Sequence, residues 1–343
     1  MIRAQFAIPG DIQTPTGGYH YARRVMGETG AFGVTFDHLA LPGQFPEPSQ
    51  NEIAHAVARL SEVPADTPIL LDGLAGGVLP AEAIAALSAP VIYLCHHPLA
   101  DETGVDPTRR VVLRDGERSV MAASVRVVTT SHSTAANLAA LYSVPHRKLV
   151  VAPPGTDPAE RAHGSQSTPT ILSVGSFTLR KGHDRLIEVL SGLKDLAWQL
   201  RIVGAVPNPA YRDAIESMIT AHGLGDRVTI LAPLSSEDLA REYQGADLFV
   251  LASYYEGFGM VFAEAVAHGL PVIGHRIGAV VEATLGTAEL VPVGELAGPL
   301  ERAIRSPAKR RAMADRSWQA ATELCRWHDT ARGIARAVQE VCE

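Results

Sequence analysis

Cysteine is scarce here: Cys95, Cys325 and Cys342 are the only three in 343 residues. Odd in number and widely spaced, they make neither a disulfide framework nor a zinc pattern. No apolar run approaches the roughly 20 residues that span a bilayer. The start, MIRAQFAIPGD, lacks the regions of a signal peptide. A cytoplasmic protein is therefore expected. No strand pattern runs into GxGxxG with an acid after the next strand, which argues against a dehydrogenase. No GK[ST] closes a glycine turn, so there is no P-loop. No DxD-type pair occurs, so no Mg²⁺ bridging a diphosphate is indicated, and no metal site is expected. Positive charge is also short. Net charge is −7, and residues 1–155 hold eleven Lys and Arg against fourteen Asp and Glu. Neither half is a basic domain, so nucleic acid is not an expected partner.

What is present is a globular, two-domain composition. Hydrophobic residues make up 46% and charged residues 20%, and the length exceeds one typical core. Short apolar runs alternate with helical periodicity at βαβ lengths. In the first half the strands fall at 2–8, 33–39, 68–71, 91–95, 125–129 and 149–152. In the second they fall at 170–174, 199–203, 228–231, 246–252, 271–275 and 290–293. That alternation predicts parallel sheets covered by helices on both faces. The Pro/Gly/Ser-rich run PPGTDPAERAHGSQSTP is the best boundary. The expected domains are 1–155, a linker at 156–168, 169–315, and C-terminal helices at 316–343 packing back toward the first domain.

The stretch 252–276, ASYYEGFGMVFAEAVAHGLPVIGHR, organises the rest. A buried strand enters a turn with Gly257 and Gly259, a helix runs over 260–268, and Gly269 stops it. Glycines let backbone amides approach a ligand, and a helix N-terminus carries about half a positive charge. Glu256 and Glu264, eight positions apart, place two carboxylates beside an anion site, and carboxylates suit the hydroxyls of a sugar or ribose. Alone, the stretch reads equally well as scaffold with Glu264 on a solvated face.

Three other features share its position beyond a strand. Gly17-Gly18, after the first strand and ahead of a helix, offers backbone amides to phosphate or sugar. His96, in the loop HHPLADE, lies where open parallel sheets receive ligands, although a loop histidine also caps backbone. Arg180 and Lys181, in the turn after the first strand of the second half, could neutralise a diphosphate. Alone, they would be read as a solvated turn. A fourth cluster, Arg109, Arg110, Arg114 and Arg118, is interrupted by Asp115 and Glu117. A solvated helix face is its plainer reading, and a phospholipid-docking patch at the inner face of the membrane the sharper one.

Together, SVGSFTLRKGHD, GADLFVLAS, the E-x7-E of Glu256 and Glu264, and AHGLPVIG resemble the donor domain of retaining GT-B glycosyltransferases of family 4. TGGYHYA and LCHHPLADETG are similar to that family's acceptor-side loops. The resemblance implies an α/β fold of two Rossmann-like αβα domains facing each other across a cleft. It implies an enzyme that moves a hexosyl group from a nucleotide-sugar, UDP favoured over GDP, to a hydroxyl acceptor, and a glycerolipid, another glycoconjugate precursor or a small soluble molecule all fit. The donor would be a co-substrate, and no cofactor is implied. By the match, Lys181 with Arg180 meets the diphosphate, Glu264 the ribose and Glu256 the donor sugar. Gly257, Phe258, Gly259 and Met260 contribute backbone contacts, with Val261 and Phe262 following on the helix. His96 stands near the sugar's C6 hydroxyl, and Gly17 and Gly18 close over the diphosphate and acceptor. Relatives often carry an arginine directly after the first glycine of the Lys181 turn. Ser176 stands there in this chain, which leaves part of that role to Arg180. The alternatives are a nucleotide-sugar-binding protein without catalysis, and an epimerase or phosphorylase of the same shape.

Overall fold

The computed structural model describes residues 1–165 and 168–342, and the chain divides into two compact units. One is Met1–Gly155 with the chain from Cys325 onward, and the other is Thr156–Leu324. Gln166 and Ser167, inside the expected linker, lie outside the described residues. Among the described residues, no helix is long and apolar enough to cross a membrane.

The first unit holds a six-stranded, all-parallel sheet. Its strands are β1 (Ile2–Pro9), β2 (Val34–Leu41), β3 (Ile69–Asp72), β4 (Val91–Cys95), β5 (Arg126–Thr129) and β6 (Leu149–Val151). Their order is β2-β1-β3-β4-β5-β6, with Gln5 of β1 level with Asp37 of β2 and Ile69 of β3. Every residue of β3 and β4 is buried, as expected of strands covered on both faces. Some of this unit's helix starts are set by side chains. Ser49 and Glu52 form a reciprocal capping box ahead of Gln50–Ser61. Asp106 accepts from the amides of Thr108 and Arg109, with Pro107 at the first turn of Pro107–Ala123. The glycine-rich DGLAGG after β3 opens with a helical turn, Gly73–Gly76, because Asp72 accepts from the Leu74 amide at 2.8 Å.

The C-terminal helix Trp327–Cys342 covers this unit's helix Gly17–Glu28. Trp327 meets the rings of His20 and Tyr21 and the guanidinium of Arg24. Thr330 ties it to Pro153 O at 2.6 Å. Residues 316–324 stay with the second unit, where Met313 of helix Pro307–Ala320 packs into the core.

The second unit repeats the plan with β7 (Thr170–Val174), β8 (Gln199–Val203), β9 (Val228–Leu231), β10 (Leu248–Leu251), β11 (Val272–His275) and β12 (Glu289–Val291). The order β12-β11-β10-β7-β8-β9 is again fully parallel. One core, around Phe177, Trp198, Ile202 and Leu300, fills one face; another, around Phe249, Phe262 and Val266, fills the other. The segment before β7 is strapped to this unit, with Ala162 N–H on His268 O and Ser165 Oγ on Asp247. The chain direction across each sheet reverses at one place, between β1 and β3 in the first and between β7 and β10 in the second. Ligands of open α/β sheets bind beyond the carboxyl ends of the strands at such points.

Candidate active site

In the second unit, the turns leaving β7 and β10 meet at the point of reversal. Leu179–Lys181 forms a single tight turn, and Gly182, at φ +66°, ends it and starts helix His183–Ser191. The Arg180 carbonyl accepts from Tyr254 N–H at 2.8 Å, which locks the two turns together. Across this seam Lys181 Nζ lies 2.7 Å from Glu256 Oε1, and Arg180 Nη1 lies 3.5 Å from Oε2 and 3.2 Å from Tyr255 O. Ser253 Oγ also donates to Glu256 Oε1, at 2.7 Å. Glu256 is buried, which alone would raise its carboxyl. The Lys181 and Arg180 charges and the Lys181 and Ser253 hydrogen bonds outweigh burial and hold it below the usual carboxylate range. It is an ionised carboxylate, with Lys181 and Ser253 on one oxygen and Arg180 near the other. The two cations thus stand on the anion that the fold provides.

Buried histidines support both turns. His183 bonds Gly175 O at 3.1 Å, and burial, helped by the nearby Lys181 charge, lowers it to about 4. It is neutral at pH 7 and adds no charge beneath Lys181. His275 at the end of β11 pairs Nδ1 with Ser253 O at 3.0 Å and accepts from Gly294 N–H at Nε2, 3.4 Å away. Those partners require the Nδ1–H tautomer, and burial lowers this histidine as well.

After Glu256 the chain passes Gly257 and Phe258 to Gly259, at φ +94°, which starts helix Met260–Ala267 with no side-chain cap. The helix N-terminus therefore presents uncapped amides beside the Lys181–Glu256 pair. Met260 and Val261 are half-buried. Phe262 is fully buried, edge-on to Phe249, and its amide donates to Gly259 O. Its side chain thus belongs to the core and supports the turn from below. Glu264 is half-buried, with Oε2 taking the Tyr243 hydroxyl at 2.9 Å. Burial raises its carboxyl, and the Tyr243 bond only partly offsets that.

In the first unit, Gly17 and Gly18 open helix Gly17–Glu28, again without a side-chain cap. His96, just past β4, lies against them: a Cβ added to Gly18 would sit 3.6 Å from His96 Nε2. The same nitrogen lies 3.2 Å from Asp72 Oδ2, and the ring meets Tyr21 edge-on at 5.3 Å. The sequence reading missed Asp72, which stands at the end of β3 with one oxygen on the Leu74 amide and the other on His96. Of the arginines of helix Pro107–Ala123, Arg118 pairs with Asp115, Arg114 approaches Asp101 and the Tyr142 ring, and Arg109 and Arg110 are exposed.

The loop after β4 rests on a buried carboxylate. Glu117 accepts from the amides of Leu99 at 2.7 Å and Ala100 at 3.3 Å and is fully buried. Burial pushes it up to about 7 despite those two hydrogen bonds, from 4.5 in an unfolded chain. The folded protein then keeps a proton that the unfolded chain has lost. This contribution to stability is complete below pH 4.5 and is lost as pH rises through 7, by about 3 kcal/mol in all. Urea denaturation at pH 5 and pH 8 should show that fall in wild type and a much smaller one in E117Q.

The family model of glycosyl transferases group 1 matches residues 156–318, and that of glycosyltransferase family 4 matches residues 72–160. The D-inositol 3-phosphate glycosyltransferase of Arthrobacter sp. (strain FB24) is 32% identical over 188 residues, 50% of this chain and 44% of that one. Its namesake in Kineococcus radiotolerans is 29% identical over 279 residues, 71% of this chain and 63% of the other. The chain thus spans about half to two thirds of the length of these curated relatives. In fold it is similar to sucrose-phosphate synthase from Thermosynechococcus elongatus, with a TM-score of 0.81, 21% identity and 99% of both chains covered. Anabaena HepE, solved with UDP and glucose, gives 0.76 at 17% identity over 99% of this chain and 100% of that one. The paired Rossmann-like units, the E-x7-E turn and two matched family models that together run from residue 72 to 318 lead to one assignment: the chain belongs to the family-4 glycosyltransferases of GT-B fold.

Proposed function

We propose that the protein is a retaining glycosyltransferase that moves a hexosyl group from a nucleoside diphosphate sugar, with UDP favoured as the nucleotide, to a hydroxyl acceptor. The observation that carries this reading is the Lys181–Glu256 pair at 2.7 Å, set at the point of reversal of the second sheet and beside the uncapped start of helix Met260–Ala267. On this reading the donor diphosphate draws Lys181 and Arg180 toward itself and takes the amides of the helix start. Glu256, held by Ser253, then faces the sugar hydroxyls, and Glu264 the ribose. The acceptor oxygen bonds to the anomeric carbon as that carbon's bond to the diphosphate breaks. The acceptor's proton passes to the departing phosphate oxygen on the same face, which retains configuration. Cations and helix amides stabilise the charge that grows on the leaving group, so no metal is required. Glu256 orients the donor and is not one of a glycosidase carboxylate pair.

The acceptor belongs to the first unit, where His96, braced by Asp72, and the Gly17-Gly18 amides lie together. The relatives' names favour a small phosphorylated polyol over a glycerolipid. A thermal-shift series with UDP- and GDP-sugars tests the donor. At a hundredfold excess over Kd, binding adds about 2.7 kcal/mol of stability, a rise of several degrees. No shift with either nucleotide class would sink the reading. Product analysis then separates transfer from epimerisation and phosphorolysis.

A further inference from the structure

Tyr243 takes no part in the proposed transfer, yet it is held more firmly than a packing residue needs. It lies on helix Ser236–Gly245, is 2% exposed, and packs against two aromatic rings. The His268 ring stacks on it at 5.0 Å and 11°, and Phe249 at 6.0 Å and 28°. His268 is itself fixed by Glu160 O at 2.9 Å from Nδ1. Burial and these ring contacts restrict the phenol's movement. Its hydroxyl lies 2.9 Å from Glu264 Oε2 and 3.3 Å from Val261 O, one helical turn earlier.

We infer that Tyr243 is a positioning residue that presents Glu264 to the nucleotide's ribose and so sets the enzyme's preference for ribo- over deoxyribonucleotides. The inference rests on the reading that Glu264 binds the ribose hydroxyls. A glutamate side chain on a helix has three rotatable bonds, and a ribose diol needs its carboxylate in one orientation. Tyr243 takes Oε2 and thereby fixes the carboxylate plane, leaving Oε1 as the oxygen it does not engage. A hydroxyl-free ring at this position would keep the stacking on His268 and Phe249 while releasing the carboxylate.

The experiment measures Kd by calorimetry for UDP and for 2′,3′-dideoxy-UDP, using wild type, Y243F and E264Q as full chains. If wild type prefers GDP, the guanosine pair replaces the uridine pair. Wild type should bind the ribonucleotide roughly 10–100-fold more tightly than the dideoxy analogue, the range for hydrogen bonds to a charged group. Y243F should lose about tenfold in UDP affinity and nothing in dideoxy-UDP affinity. The dideoxy value also serves as the control for intact folding. If Y243F weakens both nucleotides equally, or neither, the inference is overturned and Tyr243 is only packing. If E264Q keeps the wild-type preference, the ribose reading of Glu264 falls, and the inference with it. The two failures are therefore told apart by which variant retains discrimination.

Discussion

K181A is expected to lower kcat/KM about 1000-fold and to destabilise the protein as well, and the two losses should be separable. The activity loss follows from the proposed role. Removing one preorganised donor from a developing anion typically costs about 100–1000-fold, and Lys181 carries a full charge. The stability loss follows from what Lys181 leaves behind. Glu256 is 5% exposed, and without the ammonium at 2.7 Å it keeps only Arg180 at 3.5 Å and the Ser253 hydroxyl as favourable partners. Removing one partner of a buried pair strands the other, at about 3–5 kcal/mol. Arg180 remains and should hold the cost near the lower figure. Adding E256Q removes the stranded charge, so K181A/E256Q should recover most of the denaturation midpoint. It should not recover turnover. Rates of donor-dependent nucleotide release, read beside urea melts, decide between the two roles. If the double variant regains activity, the lysine serves only to neutralise Glu256, and the diphosphate role is lost.

The same pair marks how far the sequence could be read. Lys181 and Glu256 stand in loops beyond strands whose apolar runs are unambiguous, so their shared end of one sheet was legible. That they bond each other was not, because order within a sheet is not written in a local pattern. β7 and β10 are neighbours only because β8 and β9 fill the other side. Supporting residues were invisible for a related reason. Tyr243, Asp72 and His275 read as a helix tyrosine, a loop acid and a strand histidine, and each gains meaning from a partner distant in sequence. Asp72 left a local signal, an acid directly before a glycine, which marks an N-cap as well as a turn. The place where the chain leaves the second unit was also hidden. Helical periodicity continues on both sides of Leu324, but Met313 packs in one core while Trp327 meets Tyr21 in the other unit.

Gly182→Ala should be among the most damaging substitutions for its size, because one methyl group there meets both the fold and the site. Gly182 has φ +66°, a left-handed conformation that costs an L-residue about 1–2 kcal/mol. Steric contact costs more. A Cβ at Gly182 would lie 2.1 Å from the carbonyl oxygen of Ala252 and 2.8 Å from its carbon, both backbone. No rotamer change relieves that clash, since neither atom belongs to a side chain. Either the turn after β7 must move away from the end of β10 or β10 must bend, and Leu248–Leu251 is buried at every residue. The turn is the softer of the two, and it carries Lys181 and the Arg180 carbonyl that accepts from Tyr254. A stability loss of about 3–5 kcal/mol is expected, with any folded fraction showing weakened nucleotide binding as Lys181 moves off Glu256. Gly223→Ala supplies the comparison. Its φ of +64° is nearly the same, but nothing lies within 4 Å of an added Cβ, so only the conformational cost should appear. Urea melts of the two variants measure the difference directly. Equal losses would mean that the β7 and β10 turns are not locked at the Ala252 carbonyl, and that the seam beneath the Lys181–Glu256 pair is more yielding than its geometry indicates.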